Sequence, residues 1–263
     1  MCRKHFLIIL LLLQIKTLHA GVSESVETVT VRPGVTQTWL QLKPDVPVAT
    51  VILFAGYGGY LGITSEGIQQ PSENFLVRTR GQFAGHGFLT AVIDVPSDFS
   101  GVDGILGWRA SKTHAEDIKI IISQLRKTAD VPVWVVGTSR GTISAANVAA
   151  RLQQGGPDGL VLTASVTEAG GNNSGYVGDV DLEKITVPTL IAHHEEDDCV
   201  VTPFYGAERL LKQLPNVKQK KLIAFNGGKQ PESGACEALS EHGFIGLENQ
   251  VVDAIADWIK QKK

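Results

Sequence analysis

The chain has 263 residues, enough for one domain with a sizeable core or at most two small ones. Its composition, 43% hydrophobic and 19% charged, is that of an ordinary globular protein. A net charge of -3 with no run of Lys or Arg argues against a nucleic-acid surface or an anionic-membrane surface.

The first twenty residues stand apart. "MCRKHF" carries Arg3 and Lys4, "LIILLLLQI" is an apolar stretch, and "KTLHA" ends on the small residue Ala20. That order is the layout of a secretory signal peptide. The apolar run is short of the roughly 20 residues that span a bilayer. Residues 1–20 are therefore expected to be removed, leaving 21–263 as a secreted or periplasmic domain with no membrane span; the alternative is an N-terminal buried helix or anchor. Cys2 would leave with the signal. Cys199 and Cys236 would remain as an even pair, which in an oxidising compartment favours a disulfide over two free thiols.

"VETVTVRP" and "TQTWLQLK" alternate like two half-buried strands, an antiparallel pair. "VPVATVILFAG" is nearly continuous in apolar residues, as a strand covered on both faces should be. "GFLTAVIDVP", "VPVWVVGTS", "GLVLTASV" and "VPTLIAHH" repeat that form, and "KQKKLIAFNGG" is a further candidate. Helical segments alternate with them: "SENFLVRTRGQFAGHG", "THAEDIKIIISQLRK", "GTISAANVAARLQQGG", "FYGAERLLKQLP" and "FIGLENQVVDAIADWIKQ". In the second, Ile118, Ile121, Ile122 and Leu125 share one face and Thr113 is the candidate cap. The alternation predicts right-handed crossovers and a mostly parallel sheet with an antiparallel edge. The segment "TEAGGNNSGYVGDVDLEKIT", residues 167–186, has room for a small lid but not for a folded cap domain.

The strand "VPVWVVGTS" ends in Gly137-Thr138-Ser139-Arg140-Gly141 and runs into an Ala-rich helix. This is G-x-S-x-G between a buried strand and a helix, the setting in which a sharp turn lifts a serine hydroxyl out of the sheet. A serine nucleophile needs a base and an acid that orients the base. On such a sheet they follow in the order Ser, Asp or Glu, His. "VPTLIAHHEEDDCVVTP" supplies a later strand with an acidic cluster at its end, and "CEALSEHGFIGLENQVV" places His242 before the last helix. One oxyanion donor would be the backbone amide of Arg140, the residue after the nucleophile. The other would come from "FAGYGGYLG", whose alternative reading is a simple Gly-rich turn.

Through "GTSRGT", "HHEEDDCVVTP" and "SEHGF" the chain resembles the α/β-hydrolase superfamily, over nearly all of residues 21–263. The resemblance implies an α/β-hydrolase fold, helices on both faces and no large cap domain. In that superfamily the acid loop commonly reads H-G-x-x-D-x-x-V. Counted from His193, Asp197 takes the Asp slot and Val200 the Val slot, while His194 stands where the pattern has Gly. Asp198 is the second choice of acid. The implied triad is Ser139, Asp197 and His242, with Tyr57, or Gly56 next to it, as the second oxyanion amide. Cys199 lies two residues past Asp197 and Cys236 six before His242, so their bridge would pin the acid loop to the base loop.

"HHEEDDC", residues 193–199, also invites a metal reading. Neighbouring histidines on a strand point to opposite faces and cannot both turn to one ion. No metal is therefore expected, and the glutamates read as a solvated loop. His86 is read as a helix C-terminal cap and His114 as structural. Trp108 and Arg109 are candidates for the substrate rim, and Asp94 and Asp98 for helper groups at a strand end. The function expected is a secreted serine hydrolase of esters or other acyl bonds, acting on a small-molecule acyl substrate through an acyl-enzyme, with no cofactor. Peptidase or acyltransferase chemistry on the same triad, or a non-catalytic binding protein on the same fold, are the alternatives.

Overall fold

The computed structural model describes residues 21–70, 72–171 and 174–261; the expected signal peptide lies outside them. Among the described residues ten strands follow in chain order: β1 (Val22–Arg32), β2 (Val35–Pro44), β3 (Ala49–Phe54), the short pair β4 (Ile63–Thr64) and β5 (Gly67–Ile68), β6 (Phe88–Pro96), β7 (Val133–Thr138), β8 (Gly159–Thr163), β9 (Thr189–His194) and β10 (Lys220–Phe225). Six α-helices accompany them among the described residues: α1 (Phe75–Arg78), α2 (Arg80–Gly85), α3 (Lys112–Thr128), α4 (Gly141–Arg151), α5 (Phe204–Lys212) and α6 (Glu248–Gln261). Eight strands form one sheet in the order β1-β2-β6-β3-β7-β8-β9-β10. The first two pairings are antiparallel and all the rest parallel, so the mixed sheet with an antiparallel edge is as the patterning predicts.

The near-continuous apolar strands are buried on both faces, and their side chains divide between two cores by the period of two. Ile52, Phe54, Val133, Val135, Leu160, Leu162 and Ile191 pack against α3 and α4. Val51, Leu53, Trp134, Val136, Val161 and Leu190 pack on the other side against α1, α2 and α6. Each strand thus serves both layers, which is why alternation disappears from its sequence.

Local signals decide the helix ends. α3 presents Ile118, Ile121, Ile122 and Leu125, all fully buried, as its spacing requires. Its cap is Ser111 and not Thr113: the Ser111 hydroxyl accepts from the His114 amide at 3.0 Å from an extended backbone, two residues earlier than the sequence suggests. The expected helix after Ser72 is two short ones. Thr79, whose hydroxyl donates to the Phe75 carbonyl at 2.6 Å, separates them. His86 does sit at the C-cap of α2, its amide bonded to the Gln82 and Phe83 carbonyls. The last helix starts at Glu248, not at Phe244, because Phe244 takes a left-handed conformation (φ 59°) that a helix cannot contain. Residues 177–179 and 182–184 form two 3-10 turns. No described helix is long and apolar enough to cross a membrane.

Because the central strands are parallel, the loops after β3, β7, β9 and β10 all emerge at one edge of the sheet, where crevices for ligands form in such folds.

Candidate active site

Ser139 follows β7 directly and α4 begins two residues later. Its φ is 51°, a left-handed value that is rare and costly for a residue with a side chain, of order 1–3 kcal/mol. The flanking glycines make that turn possible. A Cβ on Gly137 would lie 2.3 Å from the Gly141 carbonyl oxygen, and one on Gly141 would lie 2.0 Å from that of Phe54. The turn is held by the Ser139 amide donating to Thr163 O at 3.1 Å and by the Thr142 hydroxyl donating to Ser139 O at 2.5 Å. Ser139 therefore stands at the N-terminus of a helix whose residues 141–150 are all buried, a place where free amides and the helix dipole favour negative charge.

Asp197 lies three residues past β9 and is buried, whereas Asp198 is exposed. Its Oδ2 meets His242 Nδ1 at 3.0 Å and accepts from the Thr202 hydroxyl at 2.9 Å; its Oδ1 accepts from the Cys199 amide at 3.0 Å. His193 Nε2 is 3.4 Å from the same Oδ2 and 2.8 Å from the Thr202 carbonyl. Burial is the largest influence on Asp197 and raises its pKa. The hydrogen bonds from His193 and His242 together outweigh it and hold the carboxyl below the ordinary carboxylate range. An ionised Asp197 can only accept, so the proton between it and His242 sits on Nδ1, which leaves the imidazole Nε2 as a lone-pair base.

His242 occupies a 3-10 turn, Glu241–Gly243, with 5% of its surface exposed. Together with Ser139 it lines a cavity of about 330 Å³, whose other walls include Gly56, Tyr57, Asn74 and Phe75. No hydrogen bond joins the Ser139 hydroxyl to His242 among the described residues. Such contacts are commonly long before substrate is bound. Tyr57, at the same cavity, also has a positive φ of 48°. Neither its backbone amide nor that of Arg140 donates within the chain among the described residues, so both remain open to a ligand. The loop after β3 lies against Ser139: a Cβ on Gly56 would come within 3.0 Å of the Ser139 Cβ.

Cys199 and Cys236 are joined, with Cα atoms 4.6 Å apart. The bridge ties the loop after β9 to the loop after β10, in which Cys236 lines the cavity and the Glu232 amide donates to the Leu239 carbonyl. The two histidines of the cluster 193–199 have separate partners. His193 bonds Thr202 O, while His194 Nε2 bonds Gly227 O at 2.9 Å and its Nδ1 accepts from the Glu196 amide. Asp197, Cys199 and His242 do lie close enough to share an ion among the described residues, but the Cys199 sulfur is engaged in the disulfide.

Several residues have other places than the sequence suggests. Arg109 is not at a rim; it is 2% exposed. Trp108 packs against Phe99 and His114. Asp94 accepts from the amides of Leu61, Ile63 and Val95 and so fastens the β4–β5 hairpin, while Asp98 forms a two-point pair with Arg32 away from the cavity. Thr202 and His193, which both touch the Asp197 carboxylate, carry no sequence signal beyond lying near the acidic cluster.

Compared by sequence, the chain matches no family model and no curated protein. Its fold is nonetheless shared with solved structures. It is similar to a PEG-bound cold-adapted esterase from an Arctic intertidal metagenomic library, at 18% identity and TM-score 0.59, over 92% of this chain and 94% of that one. It is similar to a highly thermostable carboxyl esterase from Bacillus coagulans, at 13% identity and TM-score 0.61, over 91% and 99%. A serine hydrolase without a lid from Xanthomonas campestris is similar at 15% identity and TM-score 0.55, over 93% and 94%. The strand order, the left-handed serine turn between β7 and α4, and these likenesses together lead to one conclusion: the chain has the α/β-hydrolase fold.

Proposed function

We propose that the protein is a secreted or periplasmic serine hydrolase that cleaves esters or other acyl bonds of small molecules. The observation that carries this reading is the buried Asp197–His242 hydrogen bond of 3.0 Å beside a cavity that His242 shares with the strained Ser139. In the reaction, Ser139 Oγ attacks the acyl carbon and its proton passes to His242 Nε2. The oxyanion is received by the amides of Tyr57 and Arg140. The bond from acyl carbon to leaving group breaks, and His242 returns the proton to the leaving alcohol. Water, deprotonated by the same imidazole, then releases the acid from Ser139. Asp197 keeps the imidazole in the Nδ1–H form and stabilises its cation throughout.

A cavity of about 330 Å³ suits a short acyl group rather than a long chain. Its walls are mostly neutral, and among the described residues lining it only Glu237 is an acid and none is Lys or Arg. Export is supported by the charged, apolar, small-residue order of positions 1–20 and by the disulfide.

A fluorophosphonate probe tests the reading. The wild-type protein should be labelled once per chain, and Ser139→Ala and His242→Ala should not. Failure to label folded wild-type protein would leave the binding-protein alternative. A panel of p-nitrophenyl esters of rising acyl length, set beside peptide amides and an acceptor alcohol, then separates esterase from peptidase and acyltransferase; rates should be highest on the shortest esters.

A further inference from the structure

The chain buries a cation that the triad does not use. Arg109 lies on the segment between β6 and α3, beneath the loop that follows β3, and is 2% exposed. Its Nη2 donates to the carbonyls of Ala55 at 2.9 Å and Tyr57 at 2.8 Å, and more distantly to that of Gly56 at 3.4 Å. Its Nη1 donates to the Ser144 hydroxyl at 2.8 Å, on the first turn of α4 beyond the nucleophile. No carboxylate pairs with it among the described residues. Burial first, and the neighbouring cation Arg140 second, pull its pKa down to about 9, which still leaves it charged at neutral pH. A buried charge without a counter-ion is expensive, and the four oxygens around it are what it has in exchange.

We propose that Arg109 is a positioning residue of the oxyanion hole, its guanidinium holding the carbonyls of residues 55–57 inward so that the amide of Tyr57 faces the cavity. This rests on the hydrolase reading above. In a trans peptide the carbonyl and the amide hydrogen point in opposite directions. Each carbonyl drawn toward Arg109 therefore turns the amide of the next residue away from it; the Gly56 carbonyl, which shares its peptide with the Tyr57 amide, also accepts from the Gly59 amide at 3.1 Å, so Arg109 orients that peptide together with the turn closed by Gly59 and through the shorter bonds to the flanking Ala55 and Tyr57 carbonyls. A cation on the carbonyl side also polarises the peptide and strengthens the opposite donor. The positive φ of Tyr57 fits this role, since strained backbone persists only where the surroundings over-determine it. The glycine at 59 leaves the room: a Cβ there would come within 2.7 Å of the guanidinium Nη2. Through Ser144 the same side chain joins the oxyanion loop to the helix that carries the nucleophile. Its uncompensated charge behind the loop favours the transition state over the neutral ester.

The test uses Arg109→Met, Arg109→Lys and Ser144→Ala in the full mature chain. On a short p-nitrophenyl ester, Arg109→Met should lose about 100-fold in kcat, the size of one oxyanion donor, with KM within about threefold. Affinity for a boronic acid, which forms the tetrahedral adduct, should fall in parallel. Arg109→Lys keeps charge but not the fork and should recover part of the loss. A merely structural role would leave the ratio of boronate to substrate affinity unchanged, and that result in a folded variant would overturn the proposal. Should Arg109→Met fail to fold, Arg109→Lys and Ser144→Ala decide in the same way, with smaller losses confined to kcat supporting the proposal and unchanged kcat overturning it. A crystal structure of Arg109→Met separates this proposal from the hydrolase reading. If wild-type protein is inert toward fluorophosphonate, the hydrolase reading fails; if Tyr57 also keeps its left-handed conformation in the variant, the positioning role fails by itself.

Discussion

Removing the Cys199–Cys236 bridge should weaken both the fold and the site. The perturbation is Cys199→Ala with Cys236→Ala. The bond closes a loop across a sequence separation of 37. In the chain-entropy model, opening such a loop costs about 3.8 kcal/mol at 25 °C. For a chain of this size each kcal/mol moves Tm by about 2–4 °C, so the midpoint should fall by about 8–15 °C. On the proposed mechanism the bond also fixes the position of His242 relative to Asp197. Cys199 donates its amide to Asp197 Oδ1, and Cys236 shares the cavity wall with His242. Looser loops should lower kcat about 10- to 100-fold, the cost of misplacing a catalytic group by about 1 Å, with little change in KM. Differential scanning calorimetry on both proteins, with ester hydrolysis at a temperature where both are folded, reads the two effects. Wild-type protein in reductant should shift toward the variant, since Cys236 is exposed. A midpoint within about 2 °C of wild type and an unchanged kcat would refute the reasoning. The remaining contacts of the base loop, such as the Glu232 amide to Leu239 O, would then suffice to hold it.

Asp197→Asn should lower kcat by about 10⁴, the loss seen when a triad histidine is put in the wrong tautomer, while Asp198→Asn should leave kcat within about twofold. Thr202→Val removes the hydroxyl that donates to Asp197 at 2.9 Å; kcat should fall about tenfold, reflecting one lost hydrogen bond to a charged group. His114 gives a pH dependence of stability. Burial first and Arg109 second lower its pKa from 6.5 to about 3, and neither ring nitrogen has a hydrogen-bond partner among the described residues. The unfolded chain therefore binds the extra proton between those values. Stability is full above pH 6.5 and declines as pH falls, by up to about 1.4 kcal/mol per pH unit. His114→Phe, which keeps the ring against Phe54 and Trp108, should remove that part of the slope in urea titrations at successive pH values. An equal slope in the two proteins would contradict the assignment.

The sheet was legible because its central strands must be apolar on both faces, and Val51-Ile52-Leu53-Phe54 or Val133-Trp134-Val135-Val136 can satisfy two cores at once. The serine turn was legible because Gly137 and Gly141 meet backbone that leaves no space for a Cβ. The cysteine pairing was legible from the even number left after residues 1–20 and from the export that those residues suggest. Other features were hidden for physical reasons. Charge predicts exposure, so Arg109 reads as a surface residue until its carbonyl partners are seen. The partners come from a loop more than fifty positions earlier, which no local pattern connects to it. Ser111 and Thr113 are equally good caps by composition, and the choice between them lies in the extended backbone at Ser111, fixed by Asn147 donating to its carbonyl. Asp197 and Asp198 differ by one step along the loop. The family resemblance put Asp197 first through the acid-loop pattern; the physical differences, burial and the reach of His242, are not written in the pair of letters.

The central claim is that Ser139 becomes acylated and that His242 drives the step. Rapid mixing with p-nitrophenyl acetate, acid quench and peptide mapping by mass spectrometry test it most directly. The account predicts a burst of p-nitrophenol of one per chain, an acetyl group on the peptide holding Ser139, and neither in His242→Ala. Turnover with the acetyl group on another residue, or an undiminished burst in His242→Ala, would contradict it.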